Sequence, residues 1–150
     1  MDTLTKARDA CAIWLAMREH SRAELVHKLK GKGFDEGVIQ EVVEEFTEEG
    51  LQSESRFVES CIRSHYAKGH GAEHIRHELG QHGIQGEEIN QCLSAYDWDG
   101  LLAKVHHKKY GDGSPVTPKD YANRLRFLSQ RGFEQDRIQA LWRRLRRGED

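Results

Sequence analysis

The sequence predicts an all-α protein of three tandem three-helix repeats, about nine helices in an elongated, curved rod. The first observation behind this is a recurring apolar stripe. Ile39, Val42, Val43 and Phe46 are spaced i, i+3, i+4, i+7, the buried face of an amphipathic helix. Ile89, Cys92, Leu93 and Tyr96 repeat that spacing 50 residues on, and Ile138, Leu141, Trp142 and Leu145 repeat it 49 residues after that. The second is a break before each stripe, at Gly33-Phe34, Gly83-Ile84 and Gly132-Phe133. Glycine suits the left-handed residue that ends a helix, and the apolar residue after it packs back on the last turn. The third is the scarcity of proline: only Pro115 and Pro118 occur in 150 residues, so long stretches are free to run as helix.

The first repeat, residues 1–52, opens with a helix carrying Leu4, Ala7, Cys11, Trp14 and Leu15. Ser21-Arg-Ala-Glu24 has the capping-box form and starts a second helix bearing Leu25 and Leu29. The Ile39 stripe is the third. In residues 53–97 the same roles fall to Phe57, Cys61 and Ile62, then Ile75 and Leu79, then the Ile89 stripe. In residues 98–150 the first helix carries Trp98, Leu101, Leu102 and Val105, and Gly111–Pro115 is the clearest loop. Thr117-Pro118 supplies a cap and a first-turn proline for a helix with Tyr121, Leu125 and Leu128. Arg124 stands where Leu25 and Ile75 stood, so this helix is expected to be rotated or its face rebuilt. Fifty residues bury a marginal core alone, and stacking gives each unit an apolar neighbour.

Cys11, Cys61 and Cys92 are odd in number with no close pair, which points to a reducing cytosol, and the chain reads as soluble, cytoplasmic and monomeric. The net charge of −2 hides an asymmetry. Residues 1–100 hold 11 Lys+Arg against 19 Asp+Glu; residues 101–147 hold 12 against 4. Such a division suits an oriented contact with a large charged partner.

No phosphate-binding glycine loop and no nucleophile elbow is present, so the reading is a binding protein with no catalytic residues and no cofactor. Glu41, Glu44, Glu45, Glu48 and Glu49 flank one stripe and read as a solvated acidic face. His70, His74 and His77 tempt as metal ligands, but His70 lies in the loop Gly69-His-Gly71; these three are expected not to converge and no metal site is assigned. His106-His107 read as additions to a basic surface. That surface is the candidate partner site. Lys104, Lys108 and Lys109 decorate one helix; Lys119 and Arg126 point away from the apolar stripe of the next, and Arg143 and Arg147 from that of the last, with Arg144 beside them. A solubilising surface mixes both signs, whereas this one is biased, as contact with acidic protein or nucleic-acid phosphate requires.

Ordered motifs carry a resemblance. They are Arg18-Glu-His-Ser21-Arg-Ala-Glu24-Leu25 with Leu29 and Gly33-Phe34, and Gly50-Leu51 with Arg56-Phe57-Val58-Glu59-Ser60. Gly69-His-Gly71 with Ile75, Glu78-Leu79 and Gly83-Ile84 follow, then Trp98, Lys108-Lys109-Tyr110-Gly111, Phe127-Leu128 and Arg131-Gly132-Phe133. In this order and spacing the chain resembles the RecX family of bacterial recombination regulators, departing from it where Gln52-Ser53 replace acidic residues ahead of Glu54. The resemblance implies a protein that binds RecA and the RecA–DNA filament and suppresses strand exchange and ATP hydrolysis, affecting DNA repair. The alternative from another class is a nucleic-acid-binding protein that uses the same basic residues without RecA.

Overall fold

The stripes read from the sequence are helical in the computed structural model, which describes residues 2–148, except that Tyr96 lies beyond the helix that carries Ile89. The order is α1 (Thr3–Met17), α2 (Arg22–Gly31), α3 (Glu36–Glu48), α4 (Glu54–Ala67), α5 (Ala72–Gln81), α6 (Glu87–Ser94), α7 (Trp98–Tyr110), α8 (Pro118–Gln130) and α9 (Gln135–Arg146). Among the described residues there are nine helices and no strand, so the all-α helical-repeat class holds. No helix among them is long and apolar enough to cross a membrane.

Local chemistry sets the helix ends. Ser21 Oγ accepts from Glu24 N at 3.1 Å while the Glu24 carboxylate accepts from Ser21 N at 3.3 Å, a complete capping box. Thr117 Oγ1 accepts from Asp120 N at 3.1 Å, and Pro118 occupies the first turn of α8, where its missing N–H costs nothing. Four helices stop by one device: a glycine turns the chain, and the next residue's N–H reaches back to a carbonyl five residues earlier. These bonds run from Phe34 to Leu29 at 3.3 Å, Leu51 to Phe46 at 2.9 Å, His70 to His65 at 3.0 Å and Phe133 to Leu128 at 3.2 Å. Three of the residue pairs so joined are apolar; the pair ending α4 is two histidines.

The helices gather into two compact units, one holding the chain up to Ser60 with Gln81–Ile84, the other Cys61–Gly80 with the chain from Gln85. In the first, Ala7, Cys11, Leu25, Leu29, Ile39 and Val42 are fully buried. Beside this core lies a buried polar knot the sequence did not announce. Gln52, 1% exposed, donates from Nε2 to His20 O at 3.2 Å and to Glu54 Oε1 at 2.9 Å, and its Oε1 faces Thr47 Oγ1 at 2.8 Å. Glu54 Oε1 also accepts from Arg22 N at 2.9 Å, tying the start of α4 to the start of α2.

In the second unit Ile89 and Ile138 are buried, as Ile39 is in the first. The residues closing the stripes differ: Phe46 is buried, whereas Tyr96 and Leu145 are half-buried. Tyr96 packs at the edge of an aromatic group, 5.1 Å from the Tyr66 ring and 5.8 Å from Trp98, which leaves one side of it to solvent. The face of α8 is rebuilt around Arg124. Its Nε donates to Asp120 Oδ1 at 3.0 Å and its Nη1 to Gly113 O at 2.7 Å, and its guanidinium lies 4.7 Å from the Tyr110 ring centroid. His106 is a correction to the basic-surface reading: it is 1% exposed, and only His107 reaches solvent, facing Asp112 Oδ1 at 2.7 Å. The reason is packing: adjacent residues point about 100° apart on the helix, and Trp142 meets the side that His106 occupies.

The turn Gly69–Gly71 and the α8–α9 turn touch backbone to backbone. Gly71 N donates to Arg131 O at 2.7 Å and Glu73 N to Gly132 O at 3.0 Å. A Cβ on Gly71 would lie 2.4 Å from Gly132 O, and one on Gly132 would lie 2.5 Å from His74 Cβ. Only glycine permits this approach, and it fixes where α5 starts.

A basic cleft and a histidine cluster

The turn held by Gly71 and Gly132 forms one wall of a cleft of about 500 Å³. Lys104 and Lys108 project into it from one face of α7, four residues apart, with Lys109 beside them. From α8 come Phe127 and Arg131, also four apart, and Lys68 comes from the end of α4. Arg131 is anchored, donating from Nη1 to Lys68 O at 3.1 Å, with its guanidinium 5.2 Å from the Phe127 ring centroid. Lys109 Nζ sits 3.7 Å from the same centroid. Five cations therefore line the cleft, and two of them, Lys109 and Arg131, lie against its aromatic ring. Among the described residues no carboxylate forms an ion pair with Lys104, Lys108 or Lys109. Positive charge left unbalanced in a concave site favours anionic ligands, phosphate or carboxylate.

Of the residues expected to meet a partner, Lys104, Lys108 and Lys109 line this cleft. Lys119, Arg126, Arg143 and Arg147 are exposed elsewhere on α8 and at α9, and Arg144 is half-buried. Sequence reasoning missed Lys68, Phe127 and Arg131 as parts of one site. The i, i+4 spacing of Phe127 and Arg131 was visible, but their meeting with Lys68 depends on the glycine contact between two distant turns.

The histidines depart from expectation. His70 and His74 do converge, and their third member is His65, not His77, which is exposed. His65 Nδ1 and His70 Nδ1 are 2.8 Å apart; the His70 and His74 ring centroids are 4.2 Å apart, and those of His65 and His74 5.1 Å. Burial, then the neighbouring His74 and His65, push the His70 pKa down to about 4. One ring nitrogen from each of the three lies within 4.8 Å of the others.

With this geometry in hand, likeness to known proteins is informative. Residues 7–46 match the family model of the RecX first three-helix domain, and residues 53–93 that of the RecX second three-helix domain. Regulatory protein RecX of Pseudomonas entomophila is 39% identical over 140 residues, covering 92% of this chain and 90% of its own. Regulatory protein RecX of Pseudomonas putida is likewise 39% identical, with the same coverage. The chain belongs to the RecX family. Its fold agrees with the crystal structure of RecX from Lactobacillus salivarius, at a TM-score of 0.75 and 22% identity over 95% of this chain and 96% of that one. A second regulatory protein RecX crystal structure gives a TM-score of 0.78 at 19% identity, over 93% and 71% of the two chains. The two matched RecX domains end at residue 93, so most of the cleft lies beyond them, on α7 and α8. The relatives are regulatory proteins by name.

Proposed function

We propose that this RecX-family chain binds RecA and its nucleoprotein filament in the cytoplasm and inhibits recombinase and ATPase activity, and so regulates DNA repair and recombination. The observation that carries the reading is the likeness to regulatory RecX proteins over nine-tenths of both chains. The contact residues are Lys104, Lys108, Lys109, Lys119, Arg126, Arg143, Arg144 and Arg147, placed on the third of three repeats bounded at residues 52 and 97. Their excess positive charge meets acidic filament surface or DNA phosphate, while the acidic first repeat meets basic filament surface. Several weak contacts on one repetitive partner add through effective concentration. Holding neighbouring RecA subunits in one geometry opposes the changes that accompany ATP turnover.

The test is RecA's ATPase on single-stranded DNA with this protein titrated in. Inhibition at sub-stoichiometric to stoichiometric ratios is the expected result, and unchanged turnover at excess protein sinks the proposal.

The cleft favours a second reading, direct binding of single-stranded DNA. Lysines that track phosphates around an aromatic ring are the ingredients of sequence-tolerant strand binding. Comparing affinity for bare and RecA-coated strands at physiological salt separates the two. Equal affinity for both would favour the second.

A further inference from the structure

We propose that His65, His70 and His74 form a binding site for one divalent transition-metal ion of the zinc class. The argument begins with the stop signal of α4. Where α2, α3 and α8 end by a glycine turn, the paired residues are Leu29 with Phe34, Phe46 with Leu51, and Leu128 with Phe133. Apolar contact is the usual content of that position. At α4 the same geometry, with His70 N bonded to His65 O at 3.0 Å, brings together two imidazoles. A third arrives from the first turn of α5.

The three ligand positions are held by backbone. His65 is helical, His70 is set by the glycine turn, and His74 is fixed by the Gly71–Gly132 contact, since its Cβ stands where a Gly132 side chain would be. Such preorganisation lowers the cost of ordering a site when an ion binds. The Nδ1 atoms of His65 and His70 are 2.8 Å apart. Around one ion with bonds of about 2.1 Å, tetrahedral ligands sit roughly 3.4 Å from each other, so a small ring rotation admits it. All three side chains are half-buried, leaving a path for entry. Imidazoles alone select Zn²⁺, Ni²⁺ or Cu²⁺ over Mg²⁺ or Ca²⁺, which need oxygen ligands. Among the described residues no fourth His, Cys, Asp or Glu joins the cluster, so water takes the remaining position. The charged groups that face the cluster are Glu78 on the His65 side, Arg131 on the His70 side and Lys68 on both. The two cations weaken the site but leave the three neutral donors in place. A bound ion would clamp the α4–α5 turn, which also carries the Lys68 wall of the basic cleft.

The experiment uses the untagged full chain at pH 7.5, stripped with chelator and titrated with Zn²⁺ against a chromophoric chelator. One Zn²⁺ per chain at low micromolar Kd or tighter is expected, with a rise in Tm. The double variant His70→Asn with His74→Asn should lose at least about tenfold in affinity, whereas His27→Gln, on an exposed face of α2, should not. No stoichiometric binding in the wild type overturns the proposal, as does undiminished binding in the double variant. Should that variant fail to fold by circular dichroism, long-range ¹H–¹⁵N spectra of the wild-type histidine rings decide. Shifts on Zn²⁺ addition confined to His65, His70 and His74 support the site, and shifts at other histidines overturn it.

Discussion

At His106 a single ring reads out the protonation logic of the second unit's core. Its Nε2 accepts from Trp142 Nε1 at 3.1 Å, so the proton sits on Nδ1, which faces Gly111 O at 3.1 Å. His20 in the first unit repeats the arrangement. Nδ1 faces Arg18 O at 3.0 Å, and Nε2 faces Lys28 Nζ at 2.8 Å. A second proton on either ring would confront an existing donor. Burial first, and then nearby Arg124 at His106 and Arg18 and Lys28 at His20, hold both pKa values below the ordinary histidine value. The unfolded chain therefore binds more protons than the native one below about pH 6.5, and stability is lost as pH falls from there toward the native pKa values. Thermal unfolding should show a lower Tm at pH 5.5 than at 7.5. His106→Asn should reduce that difference while costing about 1–3 kcal/mol at pH 7.5, because Trp142 loses its acceptor. An unchanged pH slope in the variant would remove His106 from the explanation. Gln52 answers a related question. Its amide donates to His20 O and to the Glu54 carboxylate, two acceptors that a carboxylate at position 52 would repel. Gln52→Glu should lower the stability measured by urea unfolding by about 1–3 kcal/mol, with little loss at a pH low enough to protonate it.

Among the elements, the junction between the α4–α5 turn and the α8–α9 turn has the least tolerance. A methyl group on Gly71 must displace the Gly132 carbonyl, which is backbone and cannot swing aside. At Gly132 the φ of 101° adds strain for any side chain. Gly71→Ala and Gly132→Ala should each cost about 1–3 kcal/mol, read as a lower denaturation midpoint with unchanged slope. Gly31→Ala, in the last turn of α2 with open space around it, should be neutral or slightly stabilising. Equal effects at all three positions would show that the close approach is not what makes Gly71 and Gly132 necessary. Because Lys68, Gly69 and Arg131 sit on these two turns, the junction variants should also perturb the basic cleft.

Over the whole molecule, the proposed association rests on the charge division between residues 1–100 and 101–147. Exposed contacts are screened over about 8 Å at physiological ionic strength, so inhibition of RecA should weaken steadily as salt rises. The triple change of Arg126, Arg143 and Arg147 to Glu should leave the fold intact by circular dichroism, since exposed charges alter stability by about 0.5 kcal/mol or less each. The same change should raise the concentration needed for half-inhibition of RecA's ATPase. A parallel triple change at Lys104, Lys108 and Lys109 asks whether the cleft is the stronger contact. Should both variants inhibit as well as wild type, the basic end is a solubilising surface and the contact belongs on the first two repeats.

The sequence by itself determined the helices and their ends. Apolar spacing of i, i+3, i+4, i+7, the Ser21 and Thr117 caps and the glycine stops are local signals, and local hydrogen bonding realises them without help from distant residues. Family membership was legible too, because it rests on ordered motifs. The exposure of Lys119, Arg126, Arg143 and Arg147 followed from the angle each makes with the apolar stripe of its helix. What only the tertiary structure decided lies between elements. Arg124 looked like an interruption of a stripe until Asp120, Gly113 and Tyr110 surrounded it. His106 and His107 were indistinguishable until packing turned one of them onto Trp142. His65 met His70 through the turn that ends α4, while His74, and Lys68 with Phe127 and Arg131, were brought in by two glycines some sixty residues apart whose backbones touch. Periodicity states which face of a helix is buried, but which partner meets that face is set by the path of the whole chain.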